Sequence, residues 1–163
     1  MSVPAGHDHD SCVHKAIRTA EHLCLARGAR LTPIRRKVLE LIWDSHKAVK
    51  AYDLLDRIRP FEYAAKPATV YRALEFLMEQ GLIHRVESLN AFIGCVCSER
   101  QHEQVLLICR RCEEVEERPA PEVMNALTRE IVRAGFLVHH KAIEVHGVCA
   151  RCAEEGGDSL SVA

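Results

Sequence analysis

The chain has 163 residues, of which 48% are hydrophobic and 28% charged, and its formal net charge is −1. This composition suits one medium domain or two small domains with a buried core. No apolar run approaches the roughly 20 residues that cross a bilayer, and the N-terminus lacks the basic and apolar regions of a secretory signal. We therefore expect a cytoplasmic protein whose eight cysteines are reduced and able to bind metal.

Charge is distributed unevenly along the chain. Residues 1–85 carry 14 Lys and Arg against 10 Asp and Glu, a net of +4, whereas residues 86–163 carry 8 against 13, a net of −5. A basic segment favours a polyanionic partner, and an acidic segment that contains His and Cys favours cations. The pattern predicts two modules.

The first module is predicted to be helical after a polar arm at residues 1–14, which we expect to be flexible. Apolar residues recur at helical spacing in four stretches, residues 15–27, 34–42, 52–58 and 67–80. Thr32 followed by Pro33 is typical of a helix start, and Gly81 is typical of a helix end.

A β-hairpin is predicted directly after the fourth helix. Residues 82–86 and 91–94 have strand-like composition and flank turn-forming residues at 87–90. Helices that close on a hairpin predict a winged helix-turn-helix domain at residues 15–94. A generic small helical domain is the alternative that periodicity alone leaves open.

The second module is predicted to be a small α/β unit at residues 95–153, which makes the fold class α+β. Its expected elements in chain order are a strand at 105–108, a strand at 114–117, a helix at 121–134 and strands at 136–140 and 142–146. Residues 154–163 are rich in Gly and Ser and predict a disordered tail.

The polar face of the helix at residues 67–80 is a candidate DNA-binding surface. In helix-turn-helix proteins the first turns of the second helix meet base edges, and nearby cations contact phosphates. Arg72 is the candidate base contact, because a guanidinium can bond the O6 and N7 atoms of guanine. The other candidate DNA contacts are Tyr71, Thr69, Lys66, Tyr52 and Arg35. An ordinary solvated helix face is the alternative interpretation.

Two C-x-x-C pairs predict a zinc site. They are Cys109 with Cys112 and Cys149 with Cys152. Zinc prefers four thiolate or imidazole ligands in a tetrahedron, and a site with four protein ligands leaves no position for a reacting water. A redox role is the alternative for one C-x-x-C alone, but two pairs favour a structural ion. No catalytic residue is predicted, and the chain is not expected to be an enzyme.

A second, fainter cluster lies where the two modules meet in the sequence. His84, Cys95, His102 and Glu117 supply one thiolate, two imidazoles and a carboxylate, which suit tetrahedral zinc. No spacing rule connects these four residues, and the sequence alone favours reading each of them as an exposed histidine, a buried thiol or part of a solvated acid run. Cys97 is an alternative ligand to Cys95.

Several stretches of the chain resemble the ferric uptake regulator family. The family motifs are RLTPIRRKVL at residues 30–39, KPATVYRAL at 66–74 and the paired C-x-x-C motifs. Three further stretches resemble the zinc-sensing branch of this family, the zinc uptake regulators. They are AYDLL at 51–55, QGLIHRVES at 80–88 and EVHGVC at 144–149.

The resemblance implies a zinc-responsive repressor. Such a protein is a homodimer with winged-helix DNA-binding domains and C-terminal dimerisation domains, and its zinc-loaded form binds palindromic operators of zinc-uptake genes. Carried over by motif, the structural ion falls on the four paired cysteines and a second, regulatory ion falls on His84, Cys95, His102 and Glu117.

An iron- or peroxide-sensing member of the same family is the alternative. The iron branch has a His-His-Asp-His run before the first C-x-x-C, whereas residues 102–105 read HEQV here. The loss of those hard ligands, together with the offer of a thiolate, favours zinc over iron.

Overall fold

The structure, a computed structural model, describes residues 9–44, 47–96, 104–139 and 141–156. The chain divides into two units, Met1–Gln101 and His102–Ala163, and the domain boundary predicted after residue 94 lies before this division. Among the described residues, no helix is both long enough and apolar enough to cross a membrane.

The described part of the first unit contains four helices and a three-stranded sheet. In chain order these are α1 (His9–Ala26), α2 (Pro33–Trp43), β1 (Val49–Lys50), α3 (Ala51–Ile58), α4 (Pro67–Glu79), β2 (Ile83–Val86) and β3 (Ala91–Gly94). The apolar stripes that predicted the helices meet in one core, whose largest fully buried side chains include Leu39, Ile42, Leu54, Ile58, Leu74 and Leu77.

Helix α1 corrects the prediction of a flexible arm at residues 1–14, because it begins at His9. Val13 continues the apolar stripe of Ile17 and Ala20 by one turn and packs against the core. This tertiary contact stabilises a helical turn that would be marginal in isolation. Residues 1–8 lie outside the described part of the chain.

Helix α4 has a defined start and a defined end. Pro67 occupies its first turn, and the Lys66 backbone N–H donates to Thr69 Oγ1 at 3.3 Å. At the other end Gly81 has φ of +68°, a conformation that a residue without a β-carbon adopts at little cost. The Leu82 N–H then donates to the Leu77 carbonyl at 2.9 Å, which completes a Schellman turn and leads the chain into β2.

Strands β2 and β3 form the predicted hairpin. They pair antiparallel, with Ile83 opposite Gly94 and Val86 opposite Ala91, and a 3₁₀ turn at Glu87–Leu89 connects them. Strand β1, which was not predicted because two residues carry no periodic signal, pairs with the other side of β3 to give the order β1-β3-β2. This arrangement confirms the winged helix-turn-helix.

The described part of the second unit combines a three-stranded sheet with two helices. Its elements are β4 (Gln104–Cys109), β5 (Val115–Pro119), α5 (Pro121–Arg133), β6 (Glu144–Gly147) and α6 (Ala150–Gly156). The strand order is β5-β4-β6, in which β4 pairs antiparallel with β5 and parallel with β6. The α+β class and the small C-terminal α/β unit are therefore confirmed. The buried apolar residues in the described part of this unit are Val105, Leu106, Ile108, Cys109, Met124, Cys152 and Ala153.

Two predictions for the second unit are wrong. The described residues of the expected strand at 136–140 form no strand, because the Phe136 N–H donates to the Ile131 carbonyl at 3.2 Å and so closes the end of α5. The tail expected at 154–163 is helical up to Gly156, since α6 continues past the second C-x-x-C. Residues 157–163 lie outside the described part.

Candidate metal centres and nucleic-acid interface

Parallel pairing of β4 and β6 brings the two C-x-x-C motifs together. The register places Cys109 opposite Gly147, so both strands end at the same edge of the sheet and Cys149 follows two residues later. The Cys149 N–H donates to Cys109 Sγ at 3.3 Å, and Cys112 Sγ lies 3.8 Å from Cys149 Sγ. All four sulfur atoms lie within 4.8 Å of one another.

The geometry and the donor chemistry of this four-cysteine cluster fit a zinc ion. Sulfur atoms bound at about 2.3 Å in a tetrahedron lie about 3.8 Å apart, which is the separation of Cys112 and Cys149. Four protein sulfurs fill a tetrahedral coordination shell, so the site has the composition of a closed structural centre rather than a catalytic one.

The ionisation of the four-cysteine cluster also favours a bound cation. Burial opposes ionisation of Cys109, yet N–H groups of Cys112, Cys149 and Arg111 lower the pKa of its thiol to about 6. The hydrogen bond with Cys149 and, to a smaller extent, burial raise the pKa of the Cys152 thiol to about 12. Closely spaced thiolates repel one another, so the protein alone stabilises only part of the negative charge. A dication removes this conflict.

Two arginines that are not among the predicted site residues connect the segments around the four-cysteine cluster. Arg111 Nη1 donates to the Cys152 carbonyl at 2.7 Å, and Arg151 Nη2 donates to Glu114 Oε1 at 2.8 Å. Both bonds join the first C-x-x-C segment to the second. Both arginines lie inside a C-x-x-C motif, and only that position could have indicated such a role.

A second candidate ligand pair lies on the hairpin of the first unit. His84 is in β2, and Cys95 directly follows β3 and donates its backbone N–H to the Leu82 carbonyl at 3.0 Å. Because side chains alternate along paired strands, His84 and Cys95 lie on the same face of the hairpin. Their ligand atoms are within 4.8 Å of each other, and the Cys95 side chain is buried.

The other predicted ligands of the regulatory site come from other parts of the sequence. Glu117 is half-buried on β5 of the second unit, opposite Leu106 of β4. His102 and the alternative ligand Cys97 lie outside the described residues. The structure thus brings His84 and Cys95 together, and the four-residue regulatory site stays a prediction.

The predicted DNA contacts differ in their surroundings. Lys66 and Arg72 are exposed, as are Tyr52 and Tyr71 at 71% and 53%. Thr69 is half-buried, and its hydroxyl accepts the Lys66 N–H, so it helps to start α4 whatever else it contacts.

Arg35 is fixed in position by contacts within the first unit. Its guanidinium carbon lies 3.6 Å from the centroid of the Phe76 ring, which is a cation–π contact. Its Nη1 atom donates to the Arg30 carbonyl at 2.6 Å. Arg35 therefore connects α2 to α4, and its predicted contact with DNA stays a prediction.

These features define a winged-helix protein with a four-cysteine candidate metal site in its α/β unit. Residues 26–146 match the ferric uptake regulator family, and the chain belongs to that family. The zinc uptake regulation protein of Escherichia coli (strain K12) is 45% identical over 136 residues, which cover 83% of this chain and 80% of that protein.

Two solved structures resemble this chain over most of its length. A zinc uptake regulator complexed with zinc and DNA superimposes with a TM-score of 0.84 at 42% identity, covering 89% of this chain and 97% of that one. The holo form of the protein XcZur superimposes with a TM-score of 0.78 at 46% identity, covering 85% and 96%.

Proposed function

We propose that the protein is a zinc-responsive transcriptional repressor, whose zinc-loaded homodimer binds palindromic operators of zinc-uptake genes. The observation that carries this proposal is the pairing of the His84 imidazole with the Cys95 thiol on the hairpin that directly follows helix α4. A sensor needs its ligands to be connected to the element that reads DNA, and here one Schellman turn at Gly81 separates them. Operator binding places the protein in the cytoplasm, and no catalytic role is proposed.

Two zinc ions per monomer are proposed. Cys109, Cys112, Cys149 and Cys152 hold the structural ion, and the cluster geometry supports this assignment. The regulatory ion is assigned to His84, Cys95, His102 and Glu117. A thiolate and an imidazole favour zinc over the harder Fe(II) and Mn(II), which prefer sites richer in oxygen.

A homodimer is supported by apolar side chains on the surface of the second unit. Val132, Phe136 and Leu137, around the end of α5, are exposed by 70%, 71% and 78%. Leu107 and Val145 form an exposed pair across β4 and β6. Contiguous exposed apolar surface marks an interaction site, and a second copy of the chain is the proposed partner.

Regulation is proposed to act through ligands drawn from both units. His84 and Cys95 belong to the first unit, and Glu117 belongs to the second. Bound zinc supplies the charge and the fixed coordination geometry that these groups need to stay together. The ligands then restrict the DNA-binding unit to fewer arrangements. If zinc binds more tightly to the arrangement that fits both operator half-sites, this difference in affinity increases the population of that arrangement. Cys95 must be deprotonated and His84 neutral, so zinc binding depends on pH.

Operator binding is expected to respond selectively to zinc. Added Zn(II) should raise the affinity of the dimer for operator DNA by about 5- to 150-fold, the usual range of coupling between two sites. Fe(II) and Mn(II) at equal free concentration should produce a smaller response, because they bind nitrogen and sulfur ligands more weakly. Fluorescence anisotropy of labelled operator measures this directly. A response to Fe(II) without one to Zn(II) would identify an iron- or peroxide-sensing regulator instead.

Arg72 and Lys66 are expected to contribute to DNA binding in different ways. Arg72→Ala should cost about 1–3 kcal/mol of operator affinity and relax the preference at one base pair, because a base contact carries sequence information. Lys66→Ala should weaken binding to all sequences and lower the salt slope of log K by about 1, because a phosphate contact releases a counterion. Binding to operator and scrambled DNA at several salt concentrations separates the two roles. Equal losses on both DNAs for Arg72→Ala would exclude a base contact.

A further inference from the structure

The single tryptophan of the chain contacts the hairpin strand that precedes Cys95. Trp43 is the last residue of α2, and its indole ring lies directly against the backbone of Gly94 in β3. A β-carbon at Gly94 would lie 2.7 Å from Cζ2 of the ring and closer still to Cε2 and Nε1. Only glycine therefore allows this contact without displacement of the ring or of the strand.

The contact lies on the opposite face of the hairpin from the candidate ligands. Gly94 pairs with Ile83, whose side chain is part of the core of the first unit. Side chains alternate along a strand, so Cys95 points to the other face, where its thiol lies within 4.8 Å of the His84 imidazole. The indole thus packs against the end of β3 on the face opposite the thiol, at the residue that directly precedes Cys95.

Helix α2 extends this support to the DNA-reading helix. Trp43 at the end of α2 contacts β3, and Arg35 near its start is stacked on Phe76 of α4 at 3.6 Å. The same helix therefore contacts both the strand that leads directly to Cys95 and the helix that carries Arg72. A shift of the end of β3 is transmitted to α2, because well-packed side chains resist independent movement.

We propose that Trp43, through its contact with Gly94, is a positioning residue for the His84–Cys95 ligand pair. The inference rests on the proposed function, since it assumes that this pair binds the regulatory zinc. The indole holds the end of β3 where the Cys95 thiol faces His84, and it makes the fluorescence of the only tryptophan a reporter of that position.

The test uses the full-length protein with its structural zinc retained and measures the affinity for the zinc that mild chelation removes. Competition with a chromophoric chelator gives this affinity, and Trp43 emission is recorded in the same titration. Gly94→Ala and Trp43→Ala should each weaken zinc binding about 10-fold, which is the lower end of the loss when a group that orients metal ligands is removed. The double variant should bind no more weakly than Trp43→Ala, because the added methyl group then has space.

Gly147→Ala is the matched control. A β-carbon at Gly147 has no atom within 4 Å, and its backbone is not left-handed, so removable zinc should bind with wild-type affinity. Trp43→Phe keeps an aromatic ring at the contact and should lose less affinity than Trp43→Ala, which separates positioning from a general loss of stability. Circular dichroism of the helical signal verifies that the first unit of each variant is folded, because the structural zinc is assigned to the other unit.

The outcomes separate this inference from the proposed function. If Cys95→Ala abolishes the removable zinc while Gly94→Ala and Trp43→Ala bind it normally, the positioning role is wrong and the proposed regulatory site stands. If Cys95→Ala binds the removable zinc like wild type, both are wrong. Support requires that zinc changes Trp43 emission in the wild type and that the change is lost in Cys95→Ala.

Discussion

Cys112→Ala is expected to remove the structural zinc and to unfold the second unit, with loss of the dimer. Cys112 contributes one of the four sulfurs and lies 3.8 Å from Cys149 Sγ across the cluster. Three remaining thiols leave an incomplete shell, and structural zinc sites in small domains are coupled to folding itself. Zinc content after mild chelation, circular dichroism and analytical ultracentrifugation measure the three effects.

The size of the expected effect follows from the small core of the second unit. Structural zinc contributes an apparent free energy of about 10–16 kcal/mol in small zinc-binding domains, whereas a unit of about 60 residues is ordinarily stable by only about 3 to 9 kcal/mol. Two of the buried residues of this unit, Cys109 and Cys152, are themselves proposed ligands. Small units with so few buried apolar residues commonly need a metal or a disulfide for stability.

A buried cysteine of the first unit provides the control for this experiment. Cys24 is 1% exposed and packs in the helical core, so Cys24→Ala removes a buried thiol without touching a proposed ligand. It should cost about 1 kcal/mol and leave the zinc content and the dimer unchanged. A Cys112→Ala protein that keeps a tightly held zinc and remains dimeric would contradict the structural assignment.

The first unit was largely predictable because its signals are local. Periodic apolar residues, the Thr32–Pro33 helix start and the terminal glycine Gly81 predicted three of its helices closely, and the structure places α2, α3 and α4 there. Two features of this unit could not be predicted. The polar residues before residue 15 gave no helical pattern, because the first turns of α1 depend on the packing of Val13. The strand β1 has only two residues and therefore no periodic pattern.

The two candidate metal sites differed in predictability for the same reason. The spacing of a C-x-x-C motif by itself places two cysteines close together. Only the parallel register of Cys109 with Gly147 was then needed to bring the two motifs together. The pairing of His84 with Cys95 depends on the register of β2 and β3, which no spacing rule expresses. The contact of Trp43 with Gly94 is a feature of packing between a helix and a strand, and sequence periodicity carries no information about it.

His84→Ala is expected to abolish the response of operator binding to zinc while the protein remains a folded dimer. The half-buried imidazole is one of the proposed regulatory ligands and is within 4.8 Å of the Cys95 sulfur. Its loss removes the coupling between metal and DNA, so the 5- to 150-fold gain in affinity should fall to about 1-fold. The structural zinc should be retained, because the four paired cysteines lie in the other unit.

A second substitution shows whether His84 acts in the same site as Cys95. Residues that bind one ion are not independent, so the double variant of His84→Ala and Cys95→Ala should lose no more of the zinc response than either single variant. His22→Ala, at an exposed position of α1, is the matched histidine control and should respond to zinc like wild type. If operator binding by His84→Ala still rises with zinc to the wild-type extent, the regulatory ion is held elsewhere, and the connection from the hairpin to α4 cannot be the route by which zinc controls DNA binding.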